Sequence, residues 1–408
     1  MNLKVTIEEA QQILLEAAAV PSDEEIIFLD DSLGRVVYKN INAPYQLPLF
    51  NKSPLDGYAM RSEDIQTATA DKPVILEVQE EYHAGYTPDK AVVKGKASKL
   101  MTGAPMPEGA DIVIKYEDIE RIDNKIKVFY PLKKNSNVIF AGEDVKRGEC
   151  IVKAGVVINP AMIGALAAVG VSKLSVQRKI KVALISTGDE LIDPAEPLVE
   201  GKIFNSNLPG LKASVTASGA EAIIIGTVID DKDKIKAALM TALDQADIVI
   251  TTGGVSVGDY DFIPDCIKEV GAQILFKGVK IKPGSPAIAA KFHNKIILGL
   301  SGNAAAASIT FQLLAVPLIK KIQGRKEIFF PNTKARLMND FSKTSPQRRI
   351  LRGRFTIAAH ENEIYLTGRQ TNGSVQSMID CNALIDVPSG SDKLYRNQEV
   401  SVILIGEF

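Results

Sequence analysis

Between Lys179 and Ile322 short apolar runs alternate with amphipathic ones, and this rhythm limits the fold more than any other feature. KVALIS, AIIIGTVI, DIVITT and KIILGL are rich in β-branched residues and carry no polar face, the composition of strands buried on both sides of a parallel sheet. LPGLKASVTASGAEA, DKDKIKAALMTALDQ and FIPDCIKEVG separate them, and the second places Ile235, Leu239 and Leu243 on one side of a helix. The spacing predicts an α/β unit, a parallel sheet with helices on both faces.

In such sheets ligands sit beyond the carboxyl ends of the strands. Here the ends read Ser186-Thr187-Gly188-Asp189-Glu190, Thr251-Thr252-Gly253-Gly254 and Ser301-Gly302-Asn303. Glycine permits positive φ and lets a ligand approach main-chain N–H groups. Ser256, Gly258, Asp259 and Asp261 follow the second end, and Asp230-Asp231 follows AIIIGTVI, either as a site acid or as an ordinary helix cap. Carboxylates repel a bare phosphate, so a metal ion or a cationic group belongs to the expected site. Lys277, Lys280 and Lys282 return positive charge beside a Pro-Gly turn.

Outside this unit, Thr6 and Glu9 form a capping-box pattern opening a helix. Residues 43–50, with Pro44 and Pro48, read as an extended linker, and the β pattern from Val74 to Tyr130 as a small β-rich domain. Its loops SPLDGYA and LMTGAPMPEGAD, and Asp144 in GEDV, are either plain turns or ligand-bearing tips. Asn159-Pro160 opens another helix. Beyond Pro331 five β-like runs suggest a small barrel or sandwich. Arg348, Arg349, Arg352 and Arg354 crowd one of them, as a solvated strand face or as an oxyanion clamp.

A chain of 408 residues exceeds one ordinary core, so two to four domains are expected. A net charge of −1 argues against a general nucleic-acid binder. Cys150, Cys266 and Cys381 lie far apart, as do His83, His293 and His360, which speaks against disulfides and a zinc site. The longest apolar run, Val156 to Val171, is interrupted by Asn159 and Pro160 and is too short for a bilayer, and the N-terminus has no signal core. A cytoplasmic protein without a membrane partner is the expectation.

SPLDGYA, TGAPMPEGAD, AGEDVKRGE, VALISTGDEL, TTGGVSVGDYDF, IKPGSP and GLSGN stand in the order and spacing of the molybdopterin molybdotransferases, the MoeA family, which includes the gephyrin E domain. The chain resembles that family over essentially its whole length. The resemblance implies a multidomain α/β plus β protein. Residues 1–45 and 140–177 would form a discontinuous linker and dimerisation domain, 46–139 a β-rich inserted domain, 178–326 a three-layer α/β molybdopterin-binding domain, and 327–408 a C-terminal β-barrel-like domain. It further implies a cytoplasmic homodimer and transient contact with the molybdopterin adenylyltransferase. The implied reaction is insertion of molybdenum from molybdate into adenylylated molybdopterin, with Mg²⁺-dependent release of AMP.

Carried onto matching positions, the resemblance implies catalytic roles for Asp56, Thr102, Asp144, Glu190, Asp230 and Asp261. Of these, Asp56, Glu190 and Asp261 are implied metal ligands. Substrate would meet Thr187, Gly188, Thr252, Gly253, Gly254, Ser256, Lys282, Ser301, Asn303, Arg352 and Ser374, with Arg352 and Ser374 on the oxyanion. The chain departs from the family pattern at two turns. LPGNP is replaced by Leu300-Ser301-Gly302-Asn303-Ala304, and KPGKP by KPGSP with Ser285 in place of lysine. The missing prolines leave the first turn without a fixed φ, and the lost cation favours an alternative: a catalytically weakened paralogue acting as a pterin-binding carrier or scaffold.

Overall fold

The computed structural model of the chain describes residues 4–256, 258, 261–359 and 361–406, so Asp259 and His360 lie outside it. Helix α1 (Ile7–Ala17) opens with the expected capping box: Glu9 N–H donates to the Thr6 hydroxyl at 3.2 Å, and Thr6 N–H to the Glu9 carboxylate at 2.7 Å. Its buried face of Ile7, Ala10 and Leu14 does not join the linking segment that follows. It packs into the α/β core, and Val5 pairs with Val279 beside it. The apolar face of α1 thus finds its partners chiefly on residues 180–322.

From Glu24 the chain runs out along a small linking region and returns through it. Glu24–Phe28 pairs antiparallel with Lys173–Gln177, Ile41–Asn42 with Cys150–Val152, and helix Pro160–Ala168 covers Leu29, Val37 and Val176. Between the two passes a six-stranded sheet builds the β-rich lobe around Tyr58, Met60, Leu76, Ile114 and Ile126.

The α/β domain is a six-stranded sheet. Its strands are β1 (Lys181–Thr187), β2 (Glu221–Val228), β3 (Ile248–Thr252), β4 (Gln273–Lys277), β5 (Ile288–Phe292) and β6 (Lys295–Leu300), in the order β2-β1-β3-β6-β5-β4. Helices α2 (Asn207–Ala217), α3 (Lys232–Gln245), α4 (Ile263–Glu269) and the composite α5 (Ala304–Ile322) cover it. Side chains alternate between two cores: Val182, Leu184, Ile248 and Ile250 face one, Ala183, Ile185 and Val249 the other. The sheet is not wholly parallel as the sequence rhythm predicts. β5 runs antiparallel to both β4 and β6, so the Pro-Gly turn with Lys280 and Lys282 lies in the connection of a hairpin. α5 has the length and apolar composition to cross a membrane, yet 78% of that window is buried inside the domain, as a core helix. A π-helical turn, Phe311–Ala315, interrupts it, and the Leu313 carbonyl accepts a hydrogen bond from Gln11 of α1.

The last strands, β7 (Asn332–Leu337), β8 (Arg349–Ile357), β9 (Asn362–Leu366), β10 (Ala383–Val387) and β11 (Glu399–Leu404), close into a barrel filled by Leu337, Leu351, Phe355, Ile364 and Val402. Its outer face joins the α/β domain. Lys282 N–H donates to Arg348 O and Ile350 N–H to Lys282 O, both at 2.9 Å, while Ile350 and Leu384 enter the α/β core.

At the amino ends of β1 and β3 Arg178 grips Asp247 with both arms of its guanidinium, at 2.9 and 2.7 Å, and Lys181 N–H adds a third bond to the same carboxylate. Burial alone would raise the Asp247 carboxyl; these bonds outweigh it and hold it below the usual carboxylate range. A depressed folded pKa stabilises at pH above the unfolded value and is lost as pH falls through the folded one. Asp247→Asn is therefore expected to cost about 1–3 kcal/mol at pH 7, with the difference from wild type closing below about pH 4 in urea titrations.

Candidate functional site at the strand ends

The four parallel strands finish side by side, and their ends touch. Gly188 N–H donates to Val228 O and Gly253 N–H to Leu300 O, both at 3.2 Å. Gly253 and Gly254 have φ of +87° and +61°, and a Cβ on either would press on Thr187. Glycine is thus required for the ends of β1 and β3 to meet. Beneath them a buried polar chain runs across the sheet: the hydroxyls of Ser186 and Thr252 lie 2.9 Å apart, and Asn205 contacts Ser186 while donating to Thr227. Asn205 also accepts Leu208 N–H at the start of α2, and Asn207 donates to Gly302 O at 2.7 Å. Sequence reasoning passed over both asparagines, although the run Asn205-Ser206-Asn207 opening a helix was a usable signal.

Acids line the rim. Asp230 is half-buried, and its carboxyl is raised above its ordinary value by burial first and then by the charges of Asp189, Glu190 and Asp261, against one lowering bond from Asp189 N–H. Glu190 is exposed and folds its carboxylate over Gly188, whose φ is +152°. Asp261 accepts Gly258 N–H at 2.7 Å and stands close behind Ser256. Asp231, not Asp230, caps α3, through Lys234 N–H. The structure thereby brings Glu190, Asp230 and Asp261 together with Thr187, Gly188, Thr252, Gly253 and Gly254, and adds Asp189.

The turn lacking its prolines is held by its own serine: the Ser301 hydroxyl accepts Asn303 N–H at 3.3 Å, and α5 starts at the next residue. Across this turn the C-terminal domain comes near. A Cβ on Gly373 would lie 3.7 Å from the Asn303 side-chain oxygen, which places the 371–377 loop and half-buried Ser374 beside the strand ends. Lys282 is exposed on the seam between sheet and barrel.

Other expected residues are placed differently. Arg352 is only 1% exposed, and its guanidinium is used within the protein: it donates to the Ser377 hydroxyl at 2.7 Å, to Arg369 O at 3.2 Å and to Thr371 O at 3.0 Å. An arginine so enclosed supports the 367–377 loop from beneath and does not offer an open clamp. Its neighbours are also occupied, Arg348 by Asp386 and Glu8, Arg349 by Ser345 and Thr344, and Arg354 by Asp380. Asp56 and Thr102 meet each other on the β-rich lobe. The carboxylate accepts the Thr102 N–H at 2.6 Å and its hydroxyl at 2.8 Å, in that order the causes that hold Asp56 below the usual carboxylate range. Asp144 lies on the linking region, where its N–H donates to Leu47 O. Among the described residues no hydrogen bond or ion pair joins Asp56, Thr102 or Asp144 to the strand ends. Asp56, Glu190 and Asp261 do not form one metal set, and no group of three acids, histidines or cysteines among the described residues does.

Three family models match the chain: "MoeA N-terminal region (domain I and II)" over residues 5–170, "Probable molybdopterin binding domain" over 183–321, and "MoeA C-terminal region (domain IV)" over 334–405. The chain is 36% identical over 401 residues to the molybdopterin molybdenumtransferase of Staphylococcus aureus (strain COL), covering 98% of this chain and 95% of that one. It is 37% identical over 378 residues to the enzyme of the same name from Staphylococcus epidermidis (strain ATCC 12228 / FDA PCI 1200), covering 93% and 90%. The crystal structure of the molybdopterin biosynthesis MoeA protein from Pyrococcus horikosii superposes with a TM-score of 0.89 at 31% identity, covering 99% of this chain and all of that one.

Proposed function

Since the chain belongs to the MoeA family of molybdopterin molybdenumtransferases and is a transferase of molybdenum cofactor biosynthesis, we propose that it inserts molybdenum from molybdate into adenylylated molybdopterin and releases AMP. The observation that carries this reading is the convergence of Thr187–Glu190, Asp230, Thr252–Gly254 and Ser301–Asn303 inside the domain matched by the molybdopterin-binding model. Backbone N–H groups at glycine turns suit a pterin phosphate. Lys282, exposed on the seam, and Ser374, beside Asn303, are the proposed hosts of the molybdate oxyanion. Arg352 serves them by holding the Ser374 loop. A carrier without chemistry is not favoured, since the relatives matched over nearly the whole chain are named as transferases.

Mg²⁺ fits the donor chemistry, because like charge crowds Asp230 and a divalent cation relieves it. Mg²⁺ binds through one or two carboxylates plus substrate phosphate oxygens, which matches a rim of acids without a preformed coordination set. The rim acids Glu190, Asp230 and Asp261 would supply one or two of those carboxylates, and the ion would neutralise the substrate's pyrophosphate. Asp56 is proposed to act from a second subunit. A homodimer would bring the lobe carrying Asp56 and Thr102, and the Asp144 segment, to the strand ends that one chain leaves apart. Ile26 and Phe28, 66% and 59% exposed on the linking region, support such an interface. The same reading places the protein in the cytoplasm, receiving its substrate from the molybdopterin adenylyltransferase.

Purified protein given adenylylated molybdopterin, molybdate and Mg²⁺ is expected to release AMP. Glu190→Gln is expected to lower the rate about tenfold to a hundredfold and to raise the Mg²⁺ concentration needed for half-maximal rate. Wild-type protein that releases no AMP under these conditions sinks the reading.

A further inference from the structure

Asp189 sits between Gly188 and Glu190, two residues past the end of β1, and its carboxylate, N–H and carbonyl each hold a partner. Its carboxylate accepts Asp230 N–H at 3.1 Å, its own N–H donates to the Asp230 carboxylate at 3.4 Å, and its carbonyl accepts the Lys202 ammonium. The ladder between β1 and β2 ends at the pair Thr187–Val228. The reciprocal clasp between Asp189 and Asp230 extends that pairing two residues into what would otherwise be two free strand tips, where backbone opening is easiest.

We propose that Asp189 is a positioning residue for the transfer reaction, fixing Asp230 across the sheet and Glu190 next in sequence. Asp230 depends on it directly, through both bonds of the clasp. Glu190 depends on it through the backbone: its carbonyl accepts Ile203 N–H at 2.8 Å and its carboxylate folds over Gly188, so both of its anchors lie on either side of residue 189. Lys202 binds the same turn from the far side of the 193–202 excursion, whose ends Leu191–Ile192 and Ile203–Phe204 pair in parallel. The turn is therefore held from two directions, and the carboxylate of Asp189 is the side chain that ties it to the backbone of Asp230 beyond β2. Among the described residues the glycine turns of β3 and the Ser301–Asn303 turn make no hydrogen bond to Asp189, so loss of its carboxylate is expected to act on the acids more than on those turns.

This inference rests on the proposed reaction for its kinetic consequence, but the clasp itself is measurable without turnover. Asparagine at 189 keeps a side-chain oxygen for Asp230 N–H; alanine does not. In Asp189→Ala, hydrogen exchange at the Asp230 amide is expected to speed up at least about tenfold, and Asp189→Asn is expected to restore most of the protection. In the AMP-release assay Asp189→Ala is expected to lower kcat about tenfold with KM for adenylylated molybdopterin changed less than about twofold, and Asp189→Asn to recover most of kcat. Unchanged Asp230 exchange in Asp189→Ala overturns the inference whatever the enzyme's activity. So does an Asp189→Asn variant as slow as Asp189→Ala, which would assign the effect to charge. Wild-type protein that shows the exchange effect but releases no AMP overturns the proposed reaction alone.

Discussion

Replacing Arg352 with alanine is expected to destabilise the C-terminal domain by about 3–5 kcal/mol and to abolish molybdate-dependent turnover, because the guanidinium is the post on which a whole loop hangs. Its three bonds reach Ser377, Arg369 and Thr371, and its backbone holds the same loop through Gln370 and Thr367. Within the loop Thr367 donates to Ser377 O and Ser377 to Ser374 O. Truncation leaves those half-buried carbonyls and the fully buried Ser377 hydroxyl without their donor. Lysine is a sharper test. It keeps the charge but offers one compact ammonium in place of a planar fork, so Arg352→Lys is expected to fail nearly as badly. Urea unfolding followed by hydrogen exchange across 367–377 reads the effect, with those amides losing protection first. Were Arg352 a direct oxyanion clamp, turnover would fall in both variants while the loop amides stayed protected.

The same residue shows where reading the chain reached its limit. The strand containing Arg349–Ile357 is plain from its alternation, and the arginines are conspicuous within it. Which of them meets solvent depends on what covers the outer face of the barrel, and the cover comes from residues 367–377, a segment with no periodicity of its own. Charge therefore suggested a clamp where burial makes a scaffold. The sheet divides likewise. β1, β3 and β6 are legible because burial on both faces demands unbroken apolar runs, β2 because its run is β-branched even though it stands half-exposed at the sheet edge, and α3 because its apolar residues recur at helical spacing. β4 and β5 hide because GVKIKPGSP between them carries the lysines, proline and glycine of a binding loop, while the antiparallel direction is set by pairing across the sheet edge. The capping box of α1 follows from local chemistry alone and stands as read, whereas the pair Asp230-Asp231, left open between site acid and helix cap, divides the two roles: Asp231 caps α3 and Asp230 faces the rim. The clasp of Asp189 with Asp230 joins positions 41 apart, and no local pattern announces it.

Gly253→Val is expected to abolish activity and to cost the α/β domain about 3–5 kcal/mol, the largest effect of any single substitution at the strand ends. Two independent constraints meet there. The backbone holds φ at +87°, a region that a β-branched residue adopts only with strain, and a Cβ at this position would fall on the Thr187 carbonyl oxygen, with the Thr187 hydroxyl 2.9 Å away. Relief requires the end of β3 to move off β1. That crowds β6 on its other side, distorting the bond from Gly253 N–H to Leu300 O, and separates the Ser186 and Thr252 hydroxyls beneath. Gly302 supplies the internal control, since it borders the same site from β6 but a Cβ there meets nothing nearer than the Gly253 Cα at 3.5 Å, an ordinary contact. Gly302→Ala is accordingly expected to stay within about 1 kcal/mol of wild type. Thermal melts of the two variants side by side decide the matter. If alanine at 302 proves as damaging as valine at 253, the strand ends are not held together by the contact between Gly253 and Thr187, and the site is built on some other support.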